Sequence, residues 1–277
     1  MSTQPISPAP YVLATGAAAV RRLHVLHDVY APAGRRVLLQ AGLKEGMRIA
    51  DFGCGVGAVT RMLAEMVGPA GHVTGVDINR AQLAEASSFC EQKGLKNTTF
   101  VEASAYNTKL PKNSFDLVYC RFLLLHLQNP AECLREMRDV LKPGGILVVE
   151  DGDIATASSI PPSAMEAFAT LFCRLGPARG VNYSIANDLY SLVVGAGFAR
   201  VHMEISQPGI KDGENRNFLK WSLEEAAPAL VKEGIISQKT LAATLSAMQD
   251  AVEDPRVLIL PPRMSLVWAR KPVTMEG

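Results

Sequence analysis

The sequence predicts an α/β fold: a doubly wound, mostly parallel sheet carrying helical additions. Three observations lead there. From residue 48 onward, short apolar runs alternate with longer amphipathic ones, the pattern of buried parallel strands joined by crossover helices. A glycine-rich segment, Asp51-Phe52-Gly53-Cys54-Gly55-Val56-Gly57, lies where the first apolar run gives way to a helical pattern. The chain has 277 residues, 48% hydrophobic, 20% charged and 6% aromatic, ordinary globular usage that excludes a disordered or stapled miniature scaffold.

Taken in order, residues 1–37 read as an N-terminal helical arm and 38–277 as one α/β domain. Strands are expected near 48–53 (RIADFG), 72–77 (HVTGVD), 98–103 (TTFVEA), 115–120 (FDLVYC) and 146–151 (ILVVED), with helices between them. Asn79 suits the cap of a helix starting at Arg80, and Asn129-Pro130 starts another that Lys142-Pro143-Gly144-Gly145 ends. Residues 152–186 carry prolines at 161, 162 and 177 and show no clean period. A helix near 187–196 leads to a strand at 200–205, 214–254 looks helical, and a strand at 263–270 (RMSLVWAR) closes the sheet. Residues 152–186 and 214–254 are thus additions to a regular core.

Lysine plus arginine (28) nearly balances aspartate plus glutamate (27), so no long-range field favours a polyanion, and nucleic acid is not expected as a partner. The five cysteines, at 54, 90, 120, 133 and 173, form no Cys-x-x-Cys pair and read as buried small apolar residues in a reducing cytoplasm. Val12–Val20 is too short and alanine-rich to span a bilayer, and no basic-then-apolar leader opens the chain. Arg21-Arg22 reads as a solvated helix face, and His24 and His27 lack a third ligand nearby in sequence, so no metal is expected.

The glycine loop carries the chemistry. Glycine permits the tight turn and lets a ligand approach the main chain. Twenty residues after Gly57 the second strand ends in Asp77, placed to accept hydrogen bonds from the two hydroxyls of a ribose. The glycines are spaced Gly53-x-Gly55-x-Gly57 rather than as a dinucleotide fingerprint, and the acid Asp51 precedes them, which suits a cationic sulfonium with an ammonium group better than a pyrophosphate.

With RIADFGCGVG, VTGVDIN, FVEASAYNTKLPKNSFDLVYCR and LREMRDVLKPGGILVVED, the segment from about 37 to 151 resembles the class I S-adenosylmethionine-dependent methyltransferases, in the branch of ubiquinone-type and small-molecule natural-product enzymes. The resemblance implies a Rossmann-like sheet, S-adenosyl-L-methionine as cofactor and an N-terminal arm acting as a lid. It implies Asp51, Gly53, Gly55 and Gly57 at the methionyl part, Asp77 on the ribose and Ile78 on adenine. Where the family has an adenine-binding aspartate this chain has Ser104, whose hydroxyl accepts one hydrogen bond while the Ala105 amide donates to the ring. Tyr11 on the arm is a candidate for the methionyl carboxylate, as to a lesser degree is Tyr30. Arg121 faces either that carboxylate or a neighbouring acid.

Methyl transfer needs alignment above all, and a base only where the acceptor must lose a proton. His126, after the fourth strand, and Asp151, ending the fifth, are the catalytic candidates on the acceptor side, as base or orienter; the alternative for His126 is a loop anchor. The leading reading is a methyltransferase for a small organic acceptor, with the methylated atom open among O, N and C. The alternatives are a methyltransferase of RNA or protein, or a non-catalytic nucleoside-binding protein of the same fold.

Overall fold

The computed structural model describes residues 17–273. The helix α1 (Ala17–Ala41) leads into β1 (Arg48–Phe52), α2 (Ala58–Val67), β2 (His72–Asp77), α3 (Arg80–Gln92), β3 (Thr98–Glu102) and β4 (Phe115–Arg121). Then come α4 (Pro130–Val140), β5 (Leu141–Asp153), β6 (Ser158–Ile160), α5 (Glu166–Arg179), α6 (Leu189–Gly195) and β7 (Ala199–Ser206). The chain ends in α7 (Phe218–Lys232), α8 (Gln238–Glu253), β8 (Leu258–Leu260) and β9 (Arg263–Arg270).

Seven strands form one sheet in the order β3-β2-β1-β4-β5-β9-β7, in which only β9 runs antiparallel to its neighbours. This is the doubly wound, mostly parallel, Rossmann-like sheet that the sequence predicts. Its order reverses between β1 and β4, and the loops leaving the carboxyl ends of those strands diverge to leave a crevice. The central strands are buried on both faces, as Ile49, Ala50 and Phe52 on β1 and Leu117 to Cys120 on β4 show, which is why they read as unbroken apolar runs. Strand β7, at the edge, alternates instead and leaves Ile205 exposed.

Helix α1 buries Val25, Ala33, Val37 and Ala41, and it packs against α2 and α7 and over β5 and β9. It runs on past residue 37, where the sequence suggested the arm would end, because Val37 and Leu38 are fully buried. Tyr30 is buried too, donating its hydroxyl to the Pro262 carbonyl at 2.7 Å, and so belongs to the core rather than to a lid. Asn79 caps α3 as expected, accepting from the Ala81 and Gln82 amides.

The irregular reading of 152–186 needs correction. Strand β5 extends to Asp153, and α5 follows because Phe168, Leu171, Phe172 and Leu175 keep helical spacing that the prolines at 161, 162 and 177 obscure. Glu166 holds its entry by accepting from the Ser163 amide at 2.8 Å and the Ser159 amide at 3.0 Å. Strands β6 and β8 form a separate two-stranded sheet that the sequence reading did not contain. Among the described residues no helix is long and apolar enough to cross a membrane.

The turn from β1 into α2 is held against α3: Gly57 has φ 79°, and a Cβ there would lie 2.8 Å from that of Ala86. Gly57→Ala is therefore expected to cost about 1–3 kcal/mol from left-handed strain and overpacking together. Thermal melting followed by circular dichroism should show a drop of several degrees; an unchanged midpoint would mean that α2 and α3 do not meet closely there.

Candidate active site

The first strand ends in a backbone that only glycine holds without strain: Gly53, Gly55 and Gly57 have φ of 68°, 53° and 79°. The loop is tied sideways to the end of β2. Asp77 accepts the Gly55 amide on one carboxylate oxygen and the Asn79 amide on the other, both at 2.9 Å. Burial raises its proton affinity, and those amides oppose the shift by stabilising the anion.

Above these turns lies a cavity of about 1110 Å³. Toward β2 and β3 it is lined by Gly53, Gly55, Asp77, Ile78, Ser104 and Ala105. Toward β5 its wall becomes apolar and aromatic, with Leu125, Ile154, Phe168, Phe172, Tyr183 and Phe218. Rings there meet edge to face: His126 lies 5.9 Å from Tyr183, and Tyr183 lies 5.3 Å from Phe172.

The structure thus brings Gly53, Gly55, Asp77, Ile78, Ser104, Ala105, Arg121 and His126 into the lining of one cavity. Asp51, Gly57 and Asp151 are not part of it. Asp51 lies behind the loop, 1% exposed, where its carboxylate accepts the Thr60 hydroxyl at 2.6 Å and burial pushes its pKa up to about 7. Gly57 faces Ala86 of α3 instead of the cavity. Asp151 accepts the amides of Leu124 and Leu125 at 2.9 and 3.3 Å, so it holds the turn that carries His126 rather than lining the acceptor side. Tyr11 lies outside the described residues.

Ser104 is half committed: its hydroxyl accepts the Tyr106 amide at 3.2 Å, leaving the oxygen's other lone pair toward the cavity. Arg121 donates through Nη2 to His27 Nδ1 at 3.0 Å, while its buried Nη1 has no acceptor among the described residues. His27 is an acceptor here because burial and the Arg121 charge lower its pKa to about 3. Glu150, opposite Arg121 in the sheet register, is buried beneath Gly34 of α1 and pushed up to about 7 by burial. The pKa of His126 is likewise lowered to about 3, first by burial and then by the charges of Arg22 and Arg179.

Several wall residues escaped the sequence reading. The expected solvated face at Arg21-Arg22 is split: the Arg21 side chain is 64% exposed, whereas that of Arg22 is 2% exposed and lines the cavity. Phe168, Phe172, Tyr183, Phe218 and Ser222 converge from the additions, and only the helical spacing of the phenylalanines hinted at this. Of the cysteines, Cys173 is exposed, in contrast to the buried reading, because it lies on the outer side of α5. Among the described residues no group of three His, Cys, Asp or Glu is placed to hold a metal ion.

Comparison with known proteins agrees with this geometry. The chain is 34% identical over 167 residues to a sterol 24-C-methyltransferase of Gibberella zeae, spanning 59% of this chain and 42% of that protein. It is 35% identical over 130 residues to the ubiquinone/menaquinone biosynthesis C-methyltransferase of Pseudomonas paraeruginosa, spanning 47% of this chain and 50% of that one. The chain therefore spans half or less of the length of these two relatives. A crystal structure of an S-adenosylmethionine-dependent methyltransferase from Aquifex aeolicus shares the fold, with a TM-score of 0.53, 24% identity and coverage of 72% of this chain and 95% of that one. A family model described as a methyltransferase domain matches residues 43–184, more than half of the sequence and the part that builds the glycine loop, Asp77 and the His126 turn; the chain belongs to that methyltransferase family.

Proposed function

We propose that this protein transfers the methyl group of S-adenosylmethionine to a small organic acceptor whose body is largely apolar. The observation that carries this reading is one continuous cavity with a glycine loop and Asp77 at one end and aromatic rings at the other. The residues present fit the cofactor. Asp77 has one lone pair on each oxygen beyond those its backbone donors use, enough for two ribose hydroxyls. Ile78 is a large apolar side chain left 58% exposed on the wall, a platform for a flat base. Arg121, with a buried Nη1 lacking an acceptor, suits the methionyl carboxylate. Ser104 and the Ala105 amide complete the adenine end.

Bound there, the cofactor supplies a methyl group already activated by its sulfonium. What the chain adds is alignment and exclusion of water. Helices α1, α5 and α7 contribute Leu26, Phe168, Phe172 and Phe218 to the acceptor end, so these elements act as its lid. His126, with a pKa of about 3, remains neutral at physiological pH and is a weak base, so it orients the acceptor rather than deprotonating it. The methylated atom must then be nucleophilic in its own right.

Asp77→Ala is expected to weaken S-adenosylmethionine binding at least about tenfold in calorimetric titration, since two charge-assisted hydrogen bonds disappear. Undetectable cofactor binding by the unaltered protein would overturn the reading. For His126→Ala, steady-state kinetics should show a raised KM for the acceptor and a fall in kcat smaller than the roughly 10²–10⁴-fold typical of a lost general base. The NMR shifts of the His126 ring should stay flat between about pH 8 and pH 5. Because the folded pKa lies below the ordinary value of 6.5, the neutral ring favours folding above that pH and increasingly disfavours it as the pH falls toward 3.

A further inference from the structure

At its aromatic end the cavity holds one buried cation. Arg22 reaches the wall from α1 with its side chain 2% exposed, and its Nε lies 2.9 Å from Glu225 Oε2 on α7. That contact is an ion pair without hydrogen-bond geometry at Nε. The Nη2 of Arg22 is buried, and no acceptor among the described residues engages it. A buried guanidinium donor without a partner is costly, and a strut between two helices does not require one, since apolar residues join helices at least as well. A second positive charge, that of Arg179 at the end of α5, acts with Arg22 on His126.

We propose that Arg22 selects the acceptor: its cavity-lining guanidinium, short of acceptors, receives an anionic oxygen group, a carboxylate or an ionised enol, carried by an otherwise apolar, ring-bearing molecule. The planar guanidinium presents two parallel donors end-on, a geometry that matches such a group bidentately and that a neutral ketone or amide fills less well. The surrounding rings of Phe172 and Tyr183, which meet edge to face, suit the apolar, ring-bearing body of such a molecule. This assignment rests on reading the cavity as a cofactor end joined to an acceptor end. Arg22 is then a specificity-determining residue on α1, outside the part of the chain that the family model matches.

The test is a set of matched titrations of the protein loaded with S-adenosylhomocysteine, using 2-naphthoate against 2-naphthamide, benzoate against benzamide, and 4-hydroxycoumarin, ionised at neutral pH, against coumarin. At least one anion should bind about tenfold or more tightly than its neutral partner, and the pair that discriminates tells carboxylate from enolate. Replacing both charges together, Arg22→Gln with Glu225→Gln, avoids stranding a buried charge and should abolish the preference while S-adenosylhomocysteine affinity and the melting temperature hold. Equal affinities in every pair, or a preference that survives in the double variant, would overturn the assignment. Failure of the unaltered protein to bind S-adenosylhomocysteine would count against the cofactor reading instead, and the same titrations on the unloaded protein would still decide the role of Arg22.

Discussion

The hydrogen bond from the Gly55 amide to the Asp77 carboxylate governs the carboxyl edge of this sheet. It joins the turn after β1 to the end of β2, and Asp77 also holds the start of α3 through Asn79. One side chain on the cavity wall therefore fixes both the glycine loop and the start of α3. Two other acids repeat the device at strand ends: Asp51 holds Thr60 at the start of α2, and Asp151 holds the amides that begin the His126 turn. Binding geometry and loop geometry are the same set of bonds.

Such straps are made at the expense of solvation. Asp51, Glu150 and Asp151 all have their pKa pushed up to about 7, in each case first by burial. Backbone amides around Asp151 and the Thr60 hydroxyl beside Asp51 offset part of that penalty, and for Glu150 the opposing influence is the Arg121 charge. Arg121 therefore faces two ways, toward Glu150 and His27 inside and toward the cavity outside. A guanidinium placed so keeps one buried donor, Nη1, without an acceptor among the described residues.

The sheet and its loops account for the cofactor end only. Helices α1, α5 and α7, which belong to no repeating βα unit, contribute to the aromatic end, with α7 packed against both of the others. The parts of the cavity built by the strands are fixed by strand register, whereas the parts that shape its second chamber are helices free to vary. Here they contribute rings, one buried arginine and a neutral histidine.

The core strands, the capped helix after Asp77 and the glycine loop were legible in the sequence because each is a local pattern. Unbroken apolar runs mark strands buried on both faces, and the Gly53-x-Gly55-x-Gly57 spacing marks a turn that other residues resist. Local patterns do not say where a side chain points once helices dock. Asp51 looked like a site residue because it precedes the glycine loop and Asp151 because it ends a strand, and only the folded chain showed their carboxylates turned to the Thr60 hydroxyl and the Leu124 amide. Arg22 and Arg21 are adjacent in sequence, yet docking α1 against α7 buries the first beside Glu225 and leaves the second in solvent. The sequence by itself determined the sheet, its glycine turn and the acid that braces it, since those depend on the period and conformational limits of neighbouring residues. Tertiary structure alone decided the aromatic chamber and its cation, because these are contacts between segments far apart in the chain, set by how whole helices pack.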